Sequence, residues 1–254
     1  MCELLGMSAN VPTDICFSFT GLVQRAAGRA HKDGWGITFY EGKGCRTFKD
    51  PQPSFQSPIA KLVQDYPIKS CSVVAHIRQA NRGRVALENT HPFTRELWGR
   101  NWTYAHNGQL KGYKSLKTGN FHPVGETDSE KAFCWLLHRL TERYPRTPGN
   151  MLGVFKNIAT LAGELREKGV FNMLLSDGRY VMAFCSTNLH WITRRAPFGV
   201  AKLLDQDVEI DFQRETTPND VVTVIATQPL TANETWHKIM PGEWALFCLG
   251  ERVV

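Results

Sequence analysis

Cys2 stands directly behind the initiator methionine. Loss of Met1, which a small second residue favours, would put a thiol and a free α-amine on one residue. That amine, with an ordinary pKa of about 8 against about 8.5 for the thiol, can take the thiol proton and return it to a leaving amine. The plain alternative is a buried cysteine near a terminus. Four further stretches offer chemistry, each with a plain reading beside it. In His31-Lys32-Asp33-Gly34-Trp35-Gly36 two glycines bracket a tryptophan, as a turn with positive φ requires, or as a backbone passing close to a ligand requires. In His76-Ile77-Arg78 the period of two puts His76 and Arg78 on one strand face, where the Arg78 fork can hold a planar carboxylate or simply sit at a surface.

Tyr104-Ala105-His106-Asn107-Gly108 contains Asn-Gly, a strong signal for a hairpin turn. The same pair can place a carboxamide N–H and a glycine N–H where an oxyanion forms, each donor contributing about 3–4 kcal/mol when preorganised. Finally, Gly125-Glu126-Thr127-Asp128-Ser129-Glu130 has capping-box spacing between Thr127 and Glu130. It leaves Asp128 to favour the helix dipole or to bind an ammonium group.

These residues need elements to carry them. Leu4 to Met7 reads as a buried strand, and Ile15 to Ala27 as a helix capped by Thr13 or Asp14. Trp35 to Tyr40 and Cys45 to Phe48 read as paired strands, followed by a proline-rich loop and a short helix near Ile59 to Gln64. Ser70 to Gln79 and Trp102 to His106 are strand candidates. The clearest helix runs from Asp128 to about Arg143, with Phe133, Leu136, Leu137 and Leu140 on one face, and Leu152 to Lys168 forms a second. Phe171 to Leu175 and Arg179 to Cys185 flank a Ser176-Asp177-Gly178 turn. His190 to Arg194, Val221 to Ala226 and Trp244 to Leu249 complete a β-rich second half. Strands at both ends with helices between them predict two packed sheets covered by helices, a single α+β domain over residues 1–254.

Composition narrows the classes. The 254 residues are 42% hydrophobic and 21% charged, which is ordinary for a globular chain. The net charge of +6 is spread out, with Arg78, Arg82 and Arg84 its densest stretch, so nucleic acid is not an expected partner. No uncharged apolar run reaches membrane-spanning length, and the first fourteen residues lack the basic start of a signal peptide. The seven cysteines are odd in number and form no CxxC pair. Neither a disulfide framework nor a metal site is expected, and a reducing cytoplasm suits such a chain.

Taken in order, Cys2, the Asp33-Gly34-Trp35-Gly36-Ile37 stretch, His76-x-Arg78, His106-Asn107-Gly108 and Thr127-Asp128-Ser129-Glu130 resemble the glutaminase domain of class II glutamine amidotransferases, which are N-terminal nucleophile hydrolases. The resemblance implies a four-layer αββα sandwich with Cys2 at the start of a central strand. It implies Cys2 as nucleophile and its freed amine as base, with Asn107 and Gly108 as the oxyanion hole. Arg78 would hold the α-carboxylate of a glutamine-like substrate and Asp128 its α-ammonium, while Gly34, Trp35 and His76 would help line the pocket. Attack on the γ-amide would give a thioester, then glutamate, without metal or organic cofactor.

One departure is Asn81, at a place where the family often has threonine, in the loop that closes over the substrate. The chain most resembles the family's small stand-alone members, some of which cleave γ-glutamyl bonds in larger molecules, as in ergothioneine synthesis or glutathione breakdown. Three functional expectations follow: an amidohydrolase acting on glutamine or a γ-glutamyl amide, a subunit that passes ammonia to a separate synthetase, or a binding module that keeps the fold without catalysis.

Overall fold

A computed structural model of the chain describes residues 2–29, 31–79, 84–205, 209–211 and 217–254. The expectations attached to Met1, Asn81 and Arg82 lie outside the described residues. The chain begins with β1 (Glu3–Thr13) and α1 (Cys16–Gly28), then β2 (Trp35–Glu41), β3 (Gly44–Asp50), α2 (Pro58–Asp65) and β4 (Ser70–Ile77). Next come β5 (Phe93–Leu97), β6 (Arg100–Leu110), α3 (Asp128–Arg143) and α4 (Met151–Arg166). The rest is β: β7 (Gly169–Ser176), β8 (Tyr180–Phe184), β9 (Leu189–Arg195), β10 (Val200–Lys202), β11 (Glu209–Asp211), β12 (Val221–Ala226), β13 (His237–Ile239), β14 (Trp244–Cys248) and β15 (Glu251–Arg252).

Among the described residues the strands form two large antiparallel sheets and a small β10-β11 pair. The first sheet has the order β13-β9-β12-β1-β4-β2-β3, with β1 in its centre, and the second β15-β14-β8-β7-β6-β5. Both faces of β1 are covered, so its side chains divide between two cores. Leu5 and Met7 pack towards α1 with Phe19, Leu22 and Trp35. Leu4 faces the second sheet, in a layer with Val74, Ala105, Leu174, Ile225 and Phe247. A third core, with Tyr104, Phe133, Phe155 and Phe171, lies between the second sheet and α3 and α4. Helices, sheet, sheet, helices: this is the expected four-layer αββα sandwich.

Several elements differ from expectation in ways that shape the site. The β1 strand is longer than the predicted Leu4–Met7, because pairing with β4 and β12 supports it on both sides. Asn107-Gly108 makes no turn; it lies inside β6, where Asn107 pairs with Asn172 and Gly108 with Phe171 of β7. The neighbouring strand overrides the local turn preference. The capping box at α3 is half formed. Thr127 Oγ1 accepts Glu130 N–H at 3.2 Å, but the Glu130 carboxylate turns to Val124 N–H at 3.1 Å and Gly125 N–H at 2.7 Å. At α1 the N-cap is Ile15, which has no capping side chain, rather than Thr13 or Asp14; Asp14 Oδ1 accepts Cys16 N–H at 3.1 Å from one residue earlier.

Candidate active site

The ends of β1, β4 and β6 meet the start of α3 around one cleft of about 1050 Å³, whose lining includes Cys2, His76, Arg78, Asn107, Gly108 and Asp128. Cys2 is half-buried at the entrance to β1. Its thiol donates to Gln79 O at 3.4 Å and accepts Gln79 N–H at 3.3 Å. Burial pushes the thiol pKa above its usual range, against the smaller pull of the Gln79 hydrogen bond. The resting group is therefore a thiol, and a base must take its proton before it can attack.

Asn107 comes from the other sheet. Its Nδ2 donates to Cys2 O at 2.6 Å, which brings a carboxamide donor beside the cysteine. A carboxamide nitrogen has two protons, so one remains for a second acceptor. The Asn107 carbonyl is held by Asn172 Nδ2–H at 3.0 Å, and Asn172 Oδ1 accepts the N–H groups of Ser186 and Thr187, each at 2.9 Å. Gly108 is required by proximity. A Cβ built there would lie 1.8 Å from Val170 O and 2.8 Å from His106 Nε2.

His106 fixes this strand to α3. Its Nε2 meets a carbonyl, Val170 O, at 3.1 Å, so Nε2 carries the proton. Its Nδ1 then accepts Ser129 O–H at 2.8 Å, next to Asp128. Asp128 accepts Leu110 N–H at Oδ2 (2.7 Å) and Ser129 N–H at Oδ1 (3.0 Å), which ties the carboxylate to the end of β6 while leaving it further lone pairs.

Arg78 is buried, with only 4% of its surface exposed. Its backbone N–H donates to Gly34 O at 2.8 Å, and its Nη1–H donates to Arg84 O at 3.0 Å. His76 is buried on the cleft floor with its ring 4.2 Å from that of His91. Burial lowers the His76 pKa to about 3, and lowers those of His91 and His106 as well. All three are neutral at pH 7. Among the described residues no three His, Cys, Asp or Glu side chains are placed to hold a metal ion.

Cys2, His76, Arg78, Asn107, Gly108 and Asp128 are thus brought together. Gly34 and Trp35 are not part of the cleft lining. Trp35 is fully buried on the helix side of the first sheet, 5.6 Å from the Phe19 ring. This corrects the expectation that it lines the pocket, since its place in β2 directs it towards α1. Gly34 supports Arg78 through its carbonyl, at φ +105° and with Asp50 O 3.0 Å from where a Cβ would sit. Sequence reasoning missed Gln79, Asn89, Ser129 and Asn172. Only Asn172, an amide inside the apolar run Val170 to Leu175, carries a visible signal.

Over residues 1–254 the chain matches the family described as Glutamine amidotransferases class-II. It is 90% identical over 255 residues, the whole of both chains, to an Escherichia coli K12 protein named "Putative glutamine amidotransferase YafJ". A crystal structure of a "predicted glutamine amidotransferase" from Pseudomonas aeruginosa shares 52% identity and a TM-score of 0.81, covering all of both chains. The glutamine PRPP amidotransferase of Bacillus subtilis is similar in fold, with a TM-score of 0.60 at 17% identity over 97% of this chain and 47% of that one. The chain belongs to the class II glutamine amidotransferases, with their N-terminal nucleophile fold.

Proposed function

We propose that the protein hydrolyses the γ-amide of glutamine, or of a γ-glutamyl compound, through a thioester on Cys2. The observation that carries this reading is the 2.6 Å contact between Asn107 Nδ2 and Cys2 O, which joins an oxyanion donor on one sheet to the nucleophile on the other. Once Met1 is removed, the Cys2 α-amine takes the thiol proton, which burial otherwise keeps in place. The thiolate attacks the γ-carbonyl carbon. The remaining Asn107 amide proton and the Gly108 N–H stabilise the oxyanion. The amine returns its proton to the leaving nitrogen as the C–N bond breaks, and ammonia or an amine departs. Water then adds to the thioester, the same amine takes one water proton, and glutamate leaves as the thiol reforms. While Met1 is attached the Cys2 nitrogen is an amide, and the base is missing.

Arg78 and Asp128 are the groups that recognise the substrate. The guanidinium offers a fork to an α-carboxylate, and Asp128 offers lone pairs to an α-ammonium. His76, neutral at the cleft floor, lines it without adding charge. The test is labelling of the Met-free protein with an electrophilic glutamine analogue, alongside glutamate release from a panel of γ-glutamyl compounds. One label on Cys2 and release from at least one compound are expected. Labelling of another cysteine while Cys2 stays free would overturn the mechanism.

A further inference from the structure

Arg78 and Asp128 reach the cleft from different layers, one just beyond β4 and the other at the start of α3. An α-amino-acid head presents its ammonium and carboxylate at a fixed separation, so the two grips must be held at a matching one. The Arg84 carbonyl is where their supports meet. It accepts Arg78 Nη1–H at 3.0 Å and Asn89 Nδ2–H at 3.2 Å. The other end of the same carboxamide, Asn89 Oδ1, accepts Glu126 N–H at 3.0 Å, two residues before Asp128. A hydrogen-bonded chain therefore runs from the Arg78 guanidinium, through Arg84 O and Asn89, to the backbone that enters α3.

Asn89 is wholly buried at the end of a short 3-10 turn, Leu87–Asn89. The segment before α3 is pressed against it. A Cβ on Gly125 would lie 2.4 Å from Asn89 Oδ1 and 2.8 Å from Glu88 O. Glu130 fixes that segment from the other side through Val124 and Gly125 N–H. The Arg84 side chain also bridges Glu88 and Glu126, but at 3.6 Å each and in solvent, where such pairs add little. The link needs a donor and an acceptor on one rigid planar group; leucine has neither, and an ionised aspartate lacks the donor.

We propose that Asn89 is a positioning residue that sets the spacing between Arg78 and Asp128, and thereby the preference for a substrate with a free α-amino-acid head. The proposal rests on the glutamine reading above. Its test compares two reagents on Met-free protein, each followed by mass spectrometry at Cys2. A diazoketone analogue of glutamine carries the α-groups, whereas iodoacetamide carries none. In Asn89→Leu the analogue rate is expected to fall about tenfold or more, the effect of 1.4 kcal/mol in grip, while the iodoacetamide rate stays near wild type. Asn89→Asp keeps the acceptor and regains a donor only when protonated, so its analogue rate relative to wild type rises as pH falls.

Equal losses with both reagents, or no loss with the analogue, would overturn the proposal, as would an Asn89→Asp variant as poor as Asn89→Leu at every pH. If Asn89→Leu fails to fold, the Asn89→Asp profile decides alone. A wild-type protein that the analogue leaves unlabelled, while iodoacetamide labels Cys2, would overturn the glutamine reading and this proposal with it. A labelled wild type with an equally labelled Asn89→Leu overturns this proposal only.

Discussion

Asn107 has two bonded ends, and they separate cleanly. Its carbonyl belongs to the network around Asn172, while its Nδ2 faces Cys2. Asn107→Ala keeps the backbone carbonyl and removes the side-chain donor. Turnover is expected to fall about 10²–10³-fold with a near-normal thermal midpoint, measured by glutamate release and by thermal unfolding. Unchanged turnover would remove Asn107 from the oxyanion hole. At this scale the sequence singled out Cys2 and Arg78 by type and position, but it left Arg78 open to a surface place, and only the fold shows it buried. The sequence was silent on Asn89 and Ser129, whose roles exist only because distant segments are folded against them.

The strand β6 shows why elements can be read more easily than their context. The expected strand Trp102 to His106 is present, and it simply continues through Asn107 and Gly108 because β7 lies beside it. The glycine is there for closeness to Val170, not for a turn. Gly108→Ala would drive a methyl group into Val170 O, and β7 would have to move. A loss of about 1–3 kcal/mol or more, roughly 2–12 °C in thermal midpoint, is expected, together with lost turnover. A variant as stable as wild type would show that β7 yields freely. The helix α3 was legible to the residue at its start and closely at its end, since Thr127 and its apolar face are local signals. The strand β5 was not. It is a sheet edge whose Arg95 serves Glu130 of α3, so its pattern carries no apolar alternation.

Across the molecule, the two sheets meet through an apolar layer and a few polar ties. Tyr40 Oη of the first sheet lies 2.8 Å from Asn101 O and from Thr103 Oγ1, and 3.0 Å from Ser176 O, all in the second. Ser72 and Ser176 hydroxyls meet at 2.9 Å. The buried histidines weaken this assembly in acid. At pH 7 His76 is neutral in both folded and unfolded chains, so no stability is lost. Below pH 6.5 the unfolded chain binds a proton that folded His76 refuses until about pH 3. Stability therefore falls with pH across that window, by about 1.4 kcal/mol per pH unit for this one residue. His91 and His106 act in the same direction. The thermal midpoint is expected to drop steeply from pH 7 to pH 5; a flat profile would show that the pocket admits the proton.

The site itself is divided by that inter-sheet layer. Cys2 leads into β1 and Arg78 follows β4 of one sheet, Asn107 and Gly108 lie in β6 of the other, and Asp128 starts the helix behind it. Neither sheet with its own helices holds all of these groups. A chain with both halves folded but not yet docked would show nearly full secondary structure by circular dichroism and release no glutamate. On the proposed mechanism, turnover is therefore a gauge of layer docking, because the nucleophile and its oxyanion donors come from different sheets.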